Sequence, residues 1–285
     1  MSEYKQLQIS VEDQVAKVVI HNPPTGLMND GTVRELLAML DWAEATPDVN
    51  AVVLTGGVEG VFIRHYDVGE IEDSGRAQKA AAMKPPKPRA GKSENKIASK
   101  QENGPLFAID FLTLRMEASP LPIAAAINGL CMGGGFETAL ACDVRFALNS
   151  KNTIIGLPEA SIGILPGGGG TQRLTRLVGP ARASEMILTA AVVDGQTAER
   201  YGLVNHLVDG DVVAAAMGWA KRAAALYPDA VGYCKKLIQM AATDTPLEEG
   251  LRMESSLFID LSGRPEVLEL MAASRRGINP EEHKA

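Results

Sequence analysis

The chain has 285 residues, of which 46% are hydrophobic and 22% charged, and its net charge is −7 at pH 7. A chain of this length buries roughly three quarters of its unfolded surface, so its core needs no disulfide or metal. The composition excludes a wholly disordered chain and a collagen. The acidic balance argues against a surface made for nucleic-acid phosphates or an anionic membrane.

The three cysteines, Cys131, Cys142 and Cys234, match no zinc or redox spacing and cannot all pair within one chain. Three thiols without a disulfide framework are typical of a reducing compartment. The N-terminal residues show no apolar signal region, and the apolar stretch around 121–127 is far shorter than the ~20 residues of a membrane helix. We therefore expect a soluble, cytoplasmic protein.

The chain opens with alternating apolar and polar residues that predict a β-hairpin over Leu7–Ile20. Apolar residues at i, i+3, i+4 and i+7 from Val33 predict a helix capped by Asn29 or Asp30. The apolar run Ala51–Thr55 then predicts a buried strand. The order strand, helix, strand indicates an α/β domain.

Residues 72–104 interrupt this pattern. The part from Lys84 to Lys100 is rich in proline and holds six Lys or Arg residues but one acid, Glu94. Such a composition predicts a mobile basic insertion loop on the surface. The alternative is a basic flap that covers an anionic ligand.

The regular pattern returns at residue 106 and continues to the end of the chain. The predicted helices cover residues 106–117, 167–177 and 181–188, and the predicted strands cover 121–127, 144–147 and 203–208. Thr197 is expected to cap a further helix that stops at Gly202. Four more helical segments follow residue 211. We therefore expect a β/α body over residues 1–210 and a C-terminal helical region over residues 211–285.

Three consecutive glycines precede a predicted helix in the segment Cys131-Met132-Gly133-Gly134-Gly135-Phe136-Glu137. Bare amides at such a place suit an anion or a developing oxyanion. Glu137 would lie in the first turn of the helix. Taken alone, the segment also fits a tight turn followed by a solvated glutamate.

Glu159 lies in an apolar stretch of sequence, between Leu157-Pro158 and Ile162, Ile164 and Leu165. A carboxylate buried there would have a raised pKa and could act as a general acid near neutral pH. The alternative is a loop glutamate whose apolar neighbours point elsewhere. The four glycines at 167–170 are not a phosphate-binding P-loop, because no Gly-Lys-Ser/Thr follows them.

Four segments in this order resemble the crotonase superfamily, the family of enoyl-CoA hydratases and isomerases. They are Ile123–Gly129, Gly133–Asp143, Pro158–Arg173 and Asp194–Val204. The resemblance implies an α/β fold, a crotonase-like ββα superhelix with a C-terminal helical region used for trimerisation. It also implies an acyl-CoA thioester substrate and a homotrimer or a dimer of trimers.

The resemblance further implies a site in which two backbone N–H groups polarise the thioester carbonyl. These groups correspond to Tyr66 and Gly134, and the two glutamates that hold water in the hydratases correspond to Glu137 and Glu159. We assign the base to Glu137 and the acid to Glu159. The residues expected beside the substrate are His65, Asp67 and Gly133. No metal is expected, and no cofactor other than the coenzyme A of the substrate.

The sequence departs from the family pattern at Arg64-His65, where the family has Ala-Gly, at Leu121, where a charged residue is usual, and in the long insertion after Asp67. His65 could instead be the base of a hydrolase-like variant. The fold also supports double-bond isomerisation, and a non-catalytic binding protein is a further alternative. The two glutamates favour hydration of a 2-enoyl-CoA.

Overall fold

Two β-sheets and their covering helices make up the structure, a computed structural model that describes residues 4–82 and 106–277. The strands are β1 Leu7–Glu12, β2 Val15–Ile20, β3 Ala51–Gly56, β4 Val61–Ile63, β5 Ile123–Ile127, β6 Leu130–Met132, β7 Val144–Leu148, β8 Ile154–Gly156, β9 Val192–Asp194 and β10 His206–Val208. The helices are α1 Asp30–Glu44, α2 Val68–Ala82, α3 Ala108–Ala118, α4 Gly134–Leu140, α5 Gly170–Leu188, α6 Gly195–Arg200, α7 Val212–Ala224, α8 Pro228–Ala241, α9 Leu247–Ser262 and α10 Pro265–Arg275.

The larger sheet has the strand order β1-β2-β3-β5-β7-β10. The predicted hairpin β1–β2 is confirmed, and Leu7 pairs with Ile20. Its turn residues Asp13 and Gln14 have φ values of 49° and 63°, which match the twist of the two flanking strands. The other neighbours in this sheet pair in parallel, with Val52 opposite Ile123 in β3 and β5.

Both faces of the larger sheet are covered, as is typical of parallel sheets. In β5, Ile123, Ala125 and Ile127 face the main core, whereas Ala124 and Ala126 face α7. Helix α7 covers that second face with Val212, Ala216 and Ala220. The helix is therefore part of the packed body, although it begins beyond the expected boundary at residue 211.

The smaller sheet, in the order β4-β6-β8-β9, positions the candidate site. Strands β4, β6 and β8 are parallel, so their carboxyl ends lie at the same edge. His65 and Tyr66 follow β4, Gly133 follows β6, and Glu159 follows β8. Three segments that are distant in sequence therefore meet at one edge of this sheet.

The expectation of a loop from residue 72 onward is wrong for its first part, because α2 continues to Ala82. This stretch is rich in good helix formers such as Arg, Gln, Lys and Ala. Arg76 also pairs with Glu72 one turn earlier, an arrangement that supports a helix. The remainder of the expected basic loop, residues 83–104, lies outside the described residues.

Two shorter elements also differ from expectation. Asp194, not Thr197, caps α6, and its carboxylate accepts the Thr197 amide at 2.8 Å. An aspartate is among the preferred capping residues, and Thr197 is already inside the helix. The strand expected over 203–208 is reduced to His206–Val208, because Leu203 and Val204 pack into the core before the chain joins the sheet edge.

The chain after residue 211 is helical, as predicted, over its described part. Helix α9 packs against α8, and neither α9 nor α10 has a buried residue. Their large apolar side chains, including Leu247, Phe258 and Ile259, are exposed. Among all described helices, none combines the length and apolar character needed to cross a bilayer.

Candidate active site

Gly133 and Gly134 lie where β6 ends and α4 begins. Gly133 has φ +53° and ψ −130°, a conformation that favours glycine. Its amide donates to the carbonyl oxygen of Gly156 in β8 at 3.0 Å. A Cβ on Gly133 would lie 3.1 Å from Oε1 of Glu159. The turn therefore brings Gly133, the residue before the first amide of α4, close to a carboxylate.

Tyr66 follows β4 and forms a bridge with Met28. The amide of the next residue, Asp67, donates to the Met28 carbonyl at 2.7 Å. The amide of Tyr66 itself has no partner among the described residues. The Cβ of Tyr66 lies 3.3 Å from the place that a Cβ would take on Gly134. The two residues expected to supply the oxyanion donors are thus neighbours in space.

The side chain of Tyr66 forms one wall of the space beside Gly134. Its hydroxyl donates to Asp30 at the start of α1. Burial, together with the Asp30 carboxylate, raises the pKa of Tyr66 and keeps the phenol neutral. Ile109 of α3 is the other wall, with its Cδ1 3.3 Å from a Cβ placed on Gly134. Neither residue is small, so the space beside the Gly134 amide is restricted.

Glu137 lies in the first turn of α4 and is 2% exposed. Its Oε1 accepts the amides of Gly168 at 2.7 Å and Gly170 at 2.8 Å. Burial raises the pKa of Glu137 to about 7, although both amide hydrogen bonds act in the opposite direction. The charge of Glu159 adds to the rise. The structure therefore brings the two predicted glutamates close enough for the charge of Glu159 to act on Glu137.

Glu159 opens a short 3-10 turn, Glu159–Ile162, after β8. Its Oε2 is buried without a hydrogen-bond partner among the described residues, and burial raises the pKa of this carboxyl. The apolar neighbours expected to enclose it do so only in part. Leu157 is buried, but three others are exposed: Ile162, Ile164 and Leu165. The glutamate is instead covered from the side of Gly133.

His65 and Asp67 flank Tyr66 and differ in their surroundings. The Nδ1 of His65 is 2.7 Å from the carbonyl oxygen of Tyr66, and its Cβ is 3.4 Å from a Cβ placed on Gly133. His65 therefore lies at the site. The carboxylate of Asp67 accepts the Gly69 amide at 2.8 Å, so this side chain faces the start of α2. The roles of both residues towards a substrate stay predictions.

The groups that hold Glu137 were not among the site residues expected from the sequence. Gly168 and Gly170 belong to the glycine run at 167–170, whose sequence pattern only excludes a P-loop. Arg173 and Glu117 form an ion pair next to that run. Within residues 4–82 and 106–277, no group of three or more His, Cys, Asp or Glu side chains is placed to hold a metal ion.

The two-sheet α/β architecture and the paired glutamates beside bare backbone amides are those of a crotonase-like protein. The chain belongs to the enoyl-CoA hydratase/isomerase family, since the family model of that description matches residues 89–273. The short-chain-enoyl-CoA hydratase of Clostridium acetobutylicum is 31% identical over 90% of this chain and 89% of its own length. The fold and the sequence thus indicate the same family.

Solved structures agree with this assignment. DspI of Pseudomonas aeruginosa matches with a TM-score of 0.82 and 30% identity, covering 97% of this chain and 96% of that one. The enoyl-CoA hydratase of Bacillus anthracis matches with a TM-score of 0.79 and 28% identity, covering 95% and 96%. Some curated relatives are much longer. The fatty acid oxidation complex subunit alpha of Shewanella loihica is 35% identical over 63% of this chain, which spans 22% of that subunit's length.

Proposed function

We propose that this protein adds water across the double bond of a 2-enoyl-CoA thioester, or catalyses the reverse elimination. One observation carries this proposal: the glycine turn at Gly133 and Gly134 has Glu159 against Gly133 and the buried Glu137 one turn further along α4, and the charge of Glu159 acts on Glu137. Hydration needs a base for water and an acid for Cα, and two carboxyls in unlike surroundings suit these roles. The proposed reaction uses no metal and no cofactor beyond the coenzyme A carried by the substrate.

The thioester carbonyl would accept hydrogen bonds from the amides of Tyr66 and Gly134. Negative charge develops on that oxygen as the hydroxyl group adds to Cβ, so donors fixed in advance lower the barrier. Removing one such donor typically costs about 3 kcal/mol of transition-state stabilisation. Two amides support this role: that of Tyr66, which has no partner in the described part of the chain, and the first amide of α4.

The hydrogen bonds support Glu137 as the base and Glu159 as the acid. Two amides donate to Oε1 of Glu137, and such donors favour the ionised form of a carboxyl. Glu159 has a buried oxygen to which no group among the described residues donates, a setting that favours the protonated form. Glu137 would take a proton from water while the hydroxyl bonds to Cβ. Glu159 would deliver a proton to Cα, and proton exchange would then restore the starting state.

Single Glu→Gln variants test this proposal. Glu137→Gln and Glu159→Gln keep the shape of the site, and each should lower the hydration rate by about 10²–10⁴-fold. Glu59→Gln, at an exposed glutamate, is the matched control and should hydrate at the wild-type rate. The assay follows loss of the conjugated thioester with a panel of 2-enoyl-CoA substrates. Binding of saturated acyl-CoA should change little in all variants.

The other reactions of the fold are outcomes of the same panel. Wild-type hydration by Glu159→Gln would overturn the acid–base pair. Double-bond migration without hydration by the wild-type protein would indicate an isomerase. Release of free coenzyme A that depends on His65 would indicate a hydrolase. Tight RNA binding in a filter assay, with no turnover of any thioester, would indicate a non-catalytic binding protein.

We further propose that the protein assembles as a homotrimer or a dimer of trimers through its C-terminal helical region. Helices α9 and α10 bury no residue within the chain, yet they carry large apolar side chains. An exposed apolar surface of this kind is typical of an interaction site. Light scattering on the purified protein tests the assembly.

A further inference from the structure

Arg173 and Glu117 form a two-pronged ion pair behind the proposed acid–base site. Arg173 lies in the first turn of α5 and Glu117 in the last turn of α3. Nε and Nη2 of Arg173 donate to the two carboxylate oxygens of Glu117 at 2.7 and 2.8 Å. Both side chains are largely buried. A two-pronged, shielded pair holds a guanidinium in one orientation far better than an exposed contact does.

The remaining guanidinium nitrogen of Arg173 contacts the segment whose amides bind Glu137. Its Nη1 donates to the carbonyl oxygen of Gly168 at 2.9 Å. The amide of the same Gly168, with that of Gly170, donates to Glu137. Gly168 is therefore tied to Arg173 through its carbonyl and to Glu137 through its amide.

Gly169 shows how closely Arg173 covers this segment. It has φ +88°, in the left-handed region that favours glycine. A Cβ at this position would lie only 2.0 Å from Nη1 of Arg173. The backbone between the two donor amides is thus in close contact with the guanidinium, and position 169 has no room for a side chain.

Arg173 also acts on Glu137 through its charge. The guanidinium lowers the pKa of Glu137, against the rise caused by burial. The other charged group that acts on Glu137 is Glu159 from the 3-10 turn, and Glu117 of α3 is paired with Arg173. His65, after β4, lies beside Gly133. Among these groups, Arg173 carries the fixed positive charge.

We propose that Arg173, oriented by Glu117, is a positioning residue: it fixes the backbone at Gly168, so that the amides of Gly168 and Gly170 hold the Glu137 carboxylate in the orientation that the proposed base needs. This inference rests on the proposed function, because it concerns the base of that reaction. The competing explanation is that the ion pair only joins α3 to α5. The two explanations differ in kinetics, not in stability.

Arg173→Gln and Glu117→Gln test the inference in the full-length protein with a 2-enoyl-CoA substrate. For Arg173→Gln, kcat should fall about 10²-fold with KM nearly unchanged, since small misplacements of reacting groups cost that much. The acid limb of the kcat/KM profile should move to higher pH, because the positive charge that favours ionised Glu137 is lost. Glu117→Gln should also lower kcat, by a smaller factor, because Arg173 loses its orientation. Its acid limb should not move to higher pH, since this change removes a negative charge and keeps the charge of Arg173.

Arg173→Lys and Arg176→Gln complete the set. Arg173→Lys keeps the positive charge but loses the planar guanidinium that bonds both Glu117 and Gly168, so kcat should fall while the acid limb stays near its wild-type position. It also provides a folded variant if Arg173→Gln is unstable. Arg176 is exposed and bonds within its own helix, so Arg176→Gln is the matched control and should behave as wild type.

Lower thermal stability of the Arg173 and Glu117 variants with unchanged kcat, and with an unmoved acid limb in Arg173→Gln, would overturn the inference. That result would leave the pair as a structural bridge only. Failure of the proposed function has a different signature, because Glu137→Gln and Glu159→Gln would then hydrate the substrate at the wild-type rate.

Discussion

The ammonium group of Lys235 lies 2.9 Å from Oδ2 of Asp143, and this buried pair links α8 to the larger sheet. Lys235 is 6% exposed and also donates to the carbonyl oxygens of Met116 and Leu121, at 3.0 and 2.8 Å. Its three donors are therefore all used. Asp143 in turn accepts the Ile123 amide at 2.7 Å. The pair thus joins α8, the end of α3 and the starts of β5 and β7.

Replacing Lys235 by Met should lower the free energy of unfolding by about 3–5 kcal/mol. The Asp143 carboxylate would remain buried without its counter-charge, which costs more than the pair itself contributes. Denaturant midpoints measure the change. Lys236→Met, at the exposed neighbouring position, is the control and should shift the midpoint little. Equal midpoints for the two variants would show that Asp143 does not depend on Lys235.

The pH dependence of hydration should have an acid limb set by Glu137. Its pKa is raised to about 7, so kcat/KM should rise with pH as the base ionises near neutrality. The raised pKa of Glu159 places the falling limb above the ordinary carboxyl range. The two limbs belong to the coupled pair. An acid limb at the pH of an ordinary carboxyl would contradict Glu137 as a buried base.

The same pKa predicts how stability depends on pH. Glu137 has a folded-state pKa near 7 against an ordinary value of 4.5, so the folded state holds its proton more tightly than the unfolded state. This contribution is complete below about pH 4 and is lost as pH rises through 7. Glu137→Gln has no titrating group at this position and so lacks this pH dependence. The free energy of unfolding of the variant, relative to that of the wild type, should therefore rise by on the order of 3 kcal/mol from pH 4 to pH 8.

Denaturation curves of the wild type and Glu137→Gln at both pH values measure that gain. Glu59→Gln serves again as the control, because its carboxylate is exposed and should leave the difference near zero at every pH. A stability difference between Glu137→Gln and the wild type that does not vary with pH would contradict the raised pKa.

The longer elements of the fold could be predicted from the sequence because each carries its own periodic signal. Helix α1 shows its apolar spacing and its cap, and Asn29 is that cap. The smaller sheet could not be predicted. Strands β4, β6, β8 and β9 have three residues each, too few for a period of two to appear. They exist through pairing with distant segments, such as Cys131 with Ile155.

The candidate site divides in the same way. Glu137 and Glu159 could be singled out because glycines and apolar residues surround them in sequence. Their actual partners come from elsewhere in the chain, since Gly168 is 31 positions from Glu137. The link from Arg173 to Glu117 spans 56 positions and leaves no local pattern. Motifs therefore identify the reacting groups, whereas the groups that orient them require the fold.

If the protein assembles through α9 and α10, a substitution on the apolar surface of α9 should change its molecular mass in solution. Phe258 and Ile259 of α9 are 68% and 69% exposed in the single chain, so an assembled protein would cover them. Phe258→Glu should convert the expected trimer to monomers at micromolar concentration, because a charge would be buried without a partner. Glu249→Gln, on the opposite face of the same helix, is the control and should keep the assembly. Light scattering after size exclusion measures the mass, and a monomeric wild type or a trimeric Phe258→Glu would contradict an interface at this helix.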